Sequence, residues 1–277
     1  MMYRSPLKWA GGKAWLAKAV EPVVDKEWKV AEPFSGGLGF SLFFGFKHVH
    51  ASDINWSLIN FFQCLRDGSM PDIIQVEASG PFYYKARDRF NDLIEQTAPN
   101  KIQSDELSTL TWFINRHCFN GLSRFNKKGR FNVPYGQKKK LDLNSLELCE
   151  QFGLAAQHWT FSHGSYETSS LADADLAIID PPYHDTFADY DPSGFIEEDQ
   201  IKLVEWLDTQ SVNRVIATNN YNKFTASLYR EAGFSLCRAP VQRKIAAKGA
   251  SRKTVFELVA LKGFSANEIN KMDLIQC

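Results

Sequence analysis

A carboxylate, two prolines and a tyrosine stand together at Asp180-Pro181-Pro182-Tyr183, directly after the apolar run Leu176-Ala177-Ile178-Ile179. A short apolar run closed by two prolines predicts a buried parallel strand that ends there, because proline donates no backbone hydrogen bond. Ligands of open α/β sheets bind at the carboxyl ends of the strands. The motif therefore predicts a binding edge, although Asp-Pro-Pro also occurs in ordinary strand-to-loop turns.

These residue types are suited to bind a planar amine and to orient its nitrogen for attack on an electrophile. An exocyclic amine is a poor nucleophile because its lone pair is delocalised into the aromatic ring. The Asp180 carboxylate can accept one amine hydrogen, the Pro181 carbonyl can accept the other, and Tyr183 offers a ring face on which a base stacks. From these residues alone, a functional site and a plain turn both stay open.

Composition is typical of a globular protein with 277 residues, of which 44% are hydrophobic. This size fits one large domain or one domain with a sizeable insertion. No apolar stretch is long enough to cross a bilayer and residues 1–8 lack a secretory pattern, so we expect a cytoplasmic location without a membrane partner. The five cysteines are widely spaced and form no C-x-x-C pair. We expect free thiols, no disulfide and no metal.

The charge of the chain is zero in total but segregated along the sequence. Residues 114–140 contain eight Lys or Arg and no acid, and residues 238–253 contain six more, again without an acid. The remainder of the chain therefore carries an acidic surplus. Two basic segments of this kind favour a face that binds a polyanion. The alternative is a pair of solvated loops with a chance excess of basic residues.

Strand and helix patterns alternate along most of the chain. Strands are predicted at 28–34, 48–52, 159–163, 176–180 and 214–218, with an antiparallel pair at 234–241 and 254–261 at the sheet edge. Helices are predicted at 197–209 and 223–231, and a further helix begins within residues 36–39 and ends near Gly45. Helical patterns at 57–66, 84–94 and 105–117, the last with Ser104 as N-cap, interrupt this alternation, followed by a loop or hairpin over 118–140. The pattern predicts a doubly wound α/β domain with a helical insertion.

Folds of this kind bind nucleotides with a glycine cluster after the first strand and an acidic residue at the end of the second strand. Here the cluster is Gly36-Gly37-Leu38-Gly39 and the acid is Asp53. The run is not G-x-G-x-x-G and no phosphate clamp accompanies it, so S-adenosylmethionine fits better than NAD. The alternative for the glycine cluster is a tight turn with Asp53 as a helix cap. We expect the basic and aromatic N-terminal segment to close over a cofactor carboxylate through Lys13, and the alternative is an exposed turn before a helix that begins near Ala14.

Six short motifs follow one another in a fixed order. They are Lys8-Trp9-Ala10-Gly11-Gly12-Lys13, Glu32-Pro33-Phe34-Ser35-Gly36-Gly37, Asp53-Ile54-Asn55, Asn120-Gly121-Leu122-Ser123-Arg124-Phe125-Asn126, Phe131-Asn132-Val133-Pro134-Tyr135-Gly136 and Asp180-Pro181-Pro182-Tyr183. Together they resemble the Dam family of DNA adenine N6-methyltransferases, and the resemblance continues through residues 252–261. The commonest family turn has a glycine at the position of Leu38, so we expect its backbone path to differ slightly there.

The resemblance implies a Rossmann-like, mostly parallel sheet with an inserted helical target-recognition domain that carries a hairpin loop. Residues 1–56 and 141–277 would form the catalytic domain and residues 57–140 the recognition domain. The implied reaction moves a methyl group from S-adenosylmethionine to adenine N6 in duplex DNA, within a GATC-like site, with S-adenosylhomocysteine as product and no metal. The implied partner is double-stranded DNA in the nucleoid, without an obligate protein partner.

The resemblance also implies roles for residues at matching positions. Cofactor contacts would come from Trp9, Ala10, Gly12, Lys13, Phe34, Ser35, Gly36, Gly37, Asp53, Ser165, Tyr166 and Asp180. The target adenine would be held by Asp180, Pro181, Pro182 and Tyr183. DNA contacts would come from Lys8, Arg116, Phe119, Asn120, Leu122, Arg124, Asn126, Asn132, Pro134, Lys138 and Lys139. Among these, Arg124 would read guanine bidentately, Leu122 and Pro134 would meet a thymine methyl, and Phe119 would prop the duplex open.

Two rival functions remain. One is a catalytically silent DNA-binding regulator with the same fold, which the intact Asp180–Tyr183 motif disfavours. The other is an amine methyltransferase that acts on RNA or on protein glutamine, because both present similar planar amines. The basic segment with Leu122, Arg124 and Pro134 favours duplex DNA over both of these substrates.

Overall fold

The computed structural model describes residues 3–96, 101–183, 195–242 and 254–277. The strands within these ranges are β1 (Val30–Glu32), β2 (Val49–Asp53), β3 (Thr160–His163), β4 (Leu176–Ile179), β5 (Arg214–Asn220), β6 (Ser235–Gln242), β7 (Thr254–Lys262) and β8 (Ile275–Gln276). They form one sheet in the order β3-β2-β1-β4-β5-β7-β6-β8. Strands β1 to β5 are parallel, and β6, β7 and β8 run antiparallel to their neighbours. The predicted Rossmann-like, mostly parallel sheet is confirmed.

The strand order reverses beside β1, and this reversal locates the site. The chain passes from β1 to β2 and β3 on one side, then returns to place β4 and β5 on the other side. Loops that leave the carboxyl ends of β1 and β4 therefore diverge and open a crevice between them. The glycine turn follows β1 and the Asp180 motif follows β4, so both predicted functional segments border this crevice.

Helices cover both faces of the sheet. They are α1 (Ala14–Val20), α2 (Gly39–Phe44), α3 (Trp56–Arg66), α4 (Gly80–Ile94), α5 (Lys101–His117), α6 (Asn144–Ala155), α7 (Glu197–Asp208), α8 (Lys223–Glu231) and α9 (Ala266–Ile269). Alternate residues of β4 enter different cores: Ile178 packs in one with Leu58 of α3, and Ile179 packs in the other with Leu203 of α7. Burial on both faces is why β4 is a continuous apolar run.

Several element boundaries differ from prediction. Helix α5 begins at Lys101, not Asp105, so Ser104 is not its N-cap. The Ser104 hydroxyl instead bonds Asn60 of α3, whose amide nitrogen donates to the Ser104 carbonyl at 2.9 Å. A helix-helix contact thus uses the short polar side chain that the sequence pattern predicts as the cap at the start of α5. Helix α4 begins at Gly80, because Ser79 accepts a hydrogen bond from the Phe82 amide and caps it.

The sequence patterns did not predict α6, α9 or β8. Helix α6 buries Ser145, Cys149 and Phe152 along one face, and this spacing of four and three residues was a helical pattern that could have revealed it. Strand β8, of two residues, pairs with β6, so the predicted antiparallel pair β6 and β7 is correct but does not end the sheet.

The segment 118–140 is the predicted loop or hairpin. Antiparallel bridges join Cys118 to Tyr135 and Phe125 to Phe131. From α4, the Asn91 side chain accepts from the Phe131 amide at 2.7 Å and donates to its carbonyl at 3.1 Å. Aromatic residues of this segment and of α4 and α5 share one hydrophobic core with the sheet. The division into a catalytic domain and a recognition domain at residues 57–140 stays a prediction.

Within the described ranges, no helix has the length and apolar character needed to cross a membrane. The same ranges contain no group of three or more His, Cys, Asp or Glu side chains arranged to hold a metal ion. The five cysteines are free thiols, and four of them are buried.

Candidate active site

Asp180 stands just beyond the end of β4, and protein groups hold both of its carboxylate oxygens. Oδ2 lies 2.7 Å from the Lys13 Nζ atom, and Oδ1 accepts a hydrogen bond of 2.7 Å from the Thr218 hydroxyl of β5. Lys13 is buried and also donates to the Gly11 carbonyl at 2.7 Å. The carboxylate is therefore fixed in orientation while a quarter of its side chain stays exposed to the crevice.

The rest of the motif is fixed by other elements. The Tyr183 hydroxyl donates to Glu257 Oε2 of β7 at 2.9 Å, and the Lys13 ammonium lies 5.0 Å from the centre of the Tyr183 ring. Burial raises the pKa of Tyr183 well above its usual range, so the phenol stays a donor. The Pro182 carbonyl accepts from Gln200 Nε2 of α7 at 2.9 Å.

The sequence patterns assigned no role in the site to the residues that support the motif. Thr218, Gln200, Asn219 and Glu257 are all buried, and the Asn219 amide donates to Gln200 Oε1 at 2.8 Å. A polar residue at the end of a predicted apolar strand was the available pattern, since Thr218 ends the strand predicted at 214–218. Nothing in the sequence indicated that Gln200 of α7 meets the same motif.

The glycine turn after β1 packs against Trp9. A Cβ atom added to Gly36, which has φ +45°, would lie 2.7 Å from Trp9 Nε1, and one added to Gly37 would lie 2.8 Å from Trp9 Cβ. Glycine is required here by a side chain of the protein itself. The next residue, Leu38, adopts φ 55°, a left-handed conformation that favours glycine, and its buried side chain offsets that strain.

Asp53 ties the glycine turn to the end of β2. Its Oδ2 accepts from the Gly36 amide at 3.0 Å and from the Ser35 hydroxyl at 3.4 Å, and its Oδ1 accepts from the Asn55 amide at 2.9 Å. Burial raises the pKa of Asp53. Asn55, not Asp53, caps α3, so the alternative of a capping Asp53 is wrong.

A second buried carboxylate, Glu32, lies beneath the same crevice at the end of β1. It accepts hydrogen bonds from the Ser41 amide at 3.2 Å and from the Ser41 hydroxyl. Burial, reinforced by the nearby charge of Asp180, raises the pKa of Glu32 to about 7. The carboxyl group of Glu32 is therefore partly protonated near neutral pH.

Three aromatic side chains, Phe34, Tyr166 and Phe195, pack together beside the crevice. The rings of Phe34 and Tyr166 stack with centroids 5.3 Å apart and planes inclined by 29°, and Phe195 meets both edge-on. Ser165 accepts from the Glu167 amide and so starts the short turn that carries Tyr166. Burial raises the pKa of Tyr166 to about 12. Predicted cofactor contacts from two distant segments thus come together, while Ala10 and Gly12 lie exposed at the opening.

The N-terminal segment joins the crevice to residues 118–140. The side chain of Asn115 on α5 accepts from the Lys8 amide at 2.8 Å and donates to the Lys8 carbonyl at 2.9 Å. A Cβ atom on Gly121, which has φ +67°, would lie 2.5 Å from Lys8 Cδ. Burial and the charge of Arg116 lower the pKa of Lys8. Lys8, Trp9 and Lys13 therefore connect the hairpin, the glycine turn and Asp180 in six residues.

The remaining predicted DNA contacts divide into two groups. The first group is exposed or half-buried and comprises Phe119, Asn120, Leu122, Arg124, Asn132, Pro134, Lys138 and Lys139, of which Leu122 packs partly against the core. Two others are engaged within the protein. Arg116 pairs with Asp142 at 3.0 Å with 11% of its side chain exposed, and Asn126 accepts from the Lys128 and Arg130 amides in the hairpin turn. DNA contact by all ten stays a prediction, and residues 243–253 of the second basic segment lie outside the described residues.

A match to a protein-family model identifies the family of this chain. The model of the D12 class N6 adenine-specific DNA methyltransferases matches residues 9–245. The chain belongs to this family. A DNA adenine methylase of Vibrio cholerae is 35% identical over 280 residues, covering 93% of this chain and 95% of that protein. The type II methyltransferase M.MjaIII of Methanocaldococcus jannaschii is 32% identical over 292 residues, covering 92% and 97%.

This methyltransferase also has a distant likeness among solved structures. A tRNA (uracil-54, C5)-methyltransferase of Pyrococcus abyssi in complex with S-adenosyl-L-homocysteine matches with a TM-score of 0.37 and 14% identity, over 90% of this chain and 38% of that one. A likeness of that size carries no functional argument. The family match and the near full-length relatives show that this chain is an adenine-specific DNA methyltransferase with DNA as substrate.

Proposed function

We propose that this methyltransferase moves the methyl group of S-adenosylmethionine to N6 of an adenine flipped out of duplex DNA, within a GATC-like site. The observation that carries the proposal is Asp180 at the switch point of the sheet, with both oxygens oriented by Lys13 and Thr218 and with the Tyr183 ring beside it. A pre-oriented acceptor next to an aromatic ring suits the capture of a flat amine.

The residues around the crevice suit S-adenosylmethionine. The stacked rings of Phe34 and Tyr166 offer an aromatic surface for an adenine ring, and the Asp53 carboxylate offers acceptors for ribose hydroxyls. Lys13 would supply a cation for the cofactor carboxylate. When bound, the cofactor supplies an electrophilic methyl group on a sulfonium, whose departure leaves a neutral sulfide. No strong base is then needed before transfer, and the protein's main task is alignment.

The motif residues would hold the target base. Asp180 accepts one amine hydrogen, because an ionised carboxylate offers about four lone-pair positions and Lys13 and Thr218 occupy only two. The Pro181 carbonyl accepts the other hydrogen, and Tyr183 stacks on the ring. These contacts draw the nitrogen toward a tetrahedral geometry and expose its lone pair. After methylation the nitrogen has become acidic, and it releases its proton to solvent, which reaches the crevice where a quarter of the Asp180 side chain is exposed.

The outward side chains of residues 118–140 would bind the DNA. Extruding a base costs a few kcal/mol, which phosphate contacts from Lys138 and Lys139 help to offset, so binding should weaken as salt rises. Arg124 is exposed and its Nε donates to Asn132 Oδ1 at 2.8 Å. Its Nε donor is thus engaged, and its two terminal nitrogens would donate to the O6 and N7 acceptors of guanine.

The test is methyl transfer from isotope-labelled S-adenosylmethionine to a duplex with one GATC site, followed by mass spectrometry of the nucleosides. We expect labelled N6-methyladenine, and little label in duplexes that carry one changed base pair in the site. A fully methylated GATC duplex is the matched control. Binding without transfer would reject the proposal in favour of the silent regulator. Label in RNA or in a glutamine-containing protein, with none in DNA, would favour the other rival.

A further inference from the structure

The phenol of Tyr183 is bound by a strand far along the chain. Its hydroxyl donates to Glu257 Oε2 at 2.9 Å across 74 residues of sequence, and the Glu257 side chain is buried. A phenol that is buried without an acceptor loses its hydrogen bond to water, and this loss destabilises the folded protein. Glu257 supplies that acceptor at the para position, the point on the ring farthest from the backbone.

The register of the sheet places Glu257 and Thr218 on a common face. Glu257 of β7 lies opposite Asn220 of β5, and Thr218 precedes Asn220 by two residues. Side chains two residues apart on a strand share a face, as do directly opposed residues. Two neighbouring strands therefore hold the two ends of the motif, since Thr218 bonds Asp180 and Glu257 bonds Tyr183.

A ring on a loop residue turns about two side-chain torsions unless its far end is tied. Tyr183 follows two prolines, which fix the backbone but leave those torsions free. The hydrogen bond to Glu257 removes that freedom, and the Lys13 ammonium at 5.0 Å borders the same ring. The ring is thus held before any base arrives.

We propose that Glu257 is a positioning residue that sets the ring of Tyr183 for stacking on the target adenine. The inference rests on the proposed function, because it takes adenine as the base that meets Tyr183. Glu257 acts through the tyrosine and touches neither substrate. Its loss therefore lowers the rate of transfer more than it weakens DNA binding.

The kinetic test compares two replacements of Glu257. Glu257→Ala removes the acceptor, and we expect kcat to fall about tenfold while KM for DNA changes less than about twofold. Glu257→Gln keeps an oxygen that accepts from the tyrosine, so it should recover most of the lost kcat. Glu205→Ala, which removes an exposed carboxylate of α7, is the matched control and should leave kcat unchanged.

A double-mutant cycle tests whether Glu257 acts through Tyr183. In a Tyr183→Phe background the acceptor has no hydroxyl to bind, so Glu257→Ala should lower kcat by much less than tenfold, about twofold at most. Thermal unfolding of the same four proteins should show matching non-additivity. Equal losses of kcat in both backgrounds, or a Gln variant no better than Ala, would overturn the proposal.

Two outcomes distinguish a failure of the proposed function from a failure of the role assigned to Glu257. Wild-type protein that methylates no adenine, yet shows the coupling in thermal unfolding, would reject both the proposed function and the role assigned to Glu257, while keeping the contact itself. Active wild-type protein without coupling would reject the role of Glu257 alone.

Discussion

At the Asp180 motif, buried residues of β5 and β7 bind the functional side chains, whereas in residues 118–140 buried residues of α4 bind the backbone. Thr218 and Glu257 bind the Asp180 carboxylate and the Tyr183 phenol. In the hairpin, Asn91 binds the backbone of Phe131, and the Tyr83 hydroxyl donates to the Val133 carbonyl at 2.9 Å. The side chains that would read DNA project from this framework, with Phe119 49% exposed.

The difference follows from what each region must do. Chemistry at a poor nucleophile needs acceptors that are oriented before the base arrives, because reorientation would raise the barrier. Base reading needs donors that stay solvated until the duplex displaces the water. A rigid backbone with exposed side chains meets that need, since it fixes where each side chain begins and leaves its polar end available.

The largest expected effect is at Asp180. Asp180→Ala removes the amine acceptor and strands the buried Lys13 ammonium, and we expect a loss of about a thousandfold or more in methyl transfer. Calorimetric titration should still detect S-adenosylmethionine, because Phe34, Tyr166 and Asp53 remain. Asp173→Ala, at an exposed carboxylate before β4, serves as control. Substantial turnover by folded Asp180→Ala protein would remove the contrast between the two regions.

The next effect concerns pH and the buried Glu32. Its pKa of about 7 in the folded protein lies above the ordinary value, so the folded state binds a proton that the unfolded state releases. The contribution of Glu32 to stability is therefore fully present below about pH 4.5 and falls as pH rises to about 7, by a few kcal/mol. Glu32→Gln should lack this fall. Melting curves from pH 5 to 8 that run parallel for both proteins would contradict the prediction.

A smaller effect is expected at Asn91, whose side chain binds the backbone of the hairpin. Asn91→Ala leaves the buried Phe131 amide and carbonyl without that partner and should cost about 2 kcal/mol of unfolding free energy. Discrimination among DNA sites should fall as well. Asp92→Ala, next to it, breaks an exposed ion pair with Arg130 and should cost less than about 1 kcal/mol. Denaturant titrations that rank the two variants in the opposite order would refute the backbone role.

The smallest effect is expected at one base. Arg124→Ala should leave stability unchanged and reduce discrimination at a single guanine by about 1–3 kcal/mol, measured as methylation of single-substituted duplexes. Lys138→Ala, at an exposed cation assigned to phosphate contact, should weaken binding uniformly across sequences. If Arg124→Ala also weakens binding uniformly, the arginine contacts phosphate and reads no base.

Sequence patterns located most elements because strand burial and helix capping are local. The apolar run of β4 and the boundaries of α8 were predictable in this way, and so were the order of the motifs and the segment 118–140 as a hairpin. The prediction of Ser104 as an N-cap was wrong for the same reason. Its local pattern resembles a helix cap, but α5 continues through it and its hydroxyl bonds Asn60.

The sequence by itself determined the class of sheet, the strand end at Asp180, the glycine turn and the resemblance to adenine methyltransferases. Each depends on residue type and short spacing. Only the tertiary structure decided that Thr218, Gln200 and Glu257 hold the motif and that Asn115 holds Lys8. Those contacts join strands and helices from distant parts of the chain, and a buried polar side chain reveals its partner only when the packing brings donor and acceptor together.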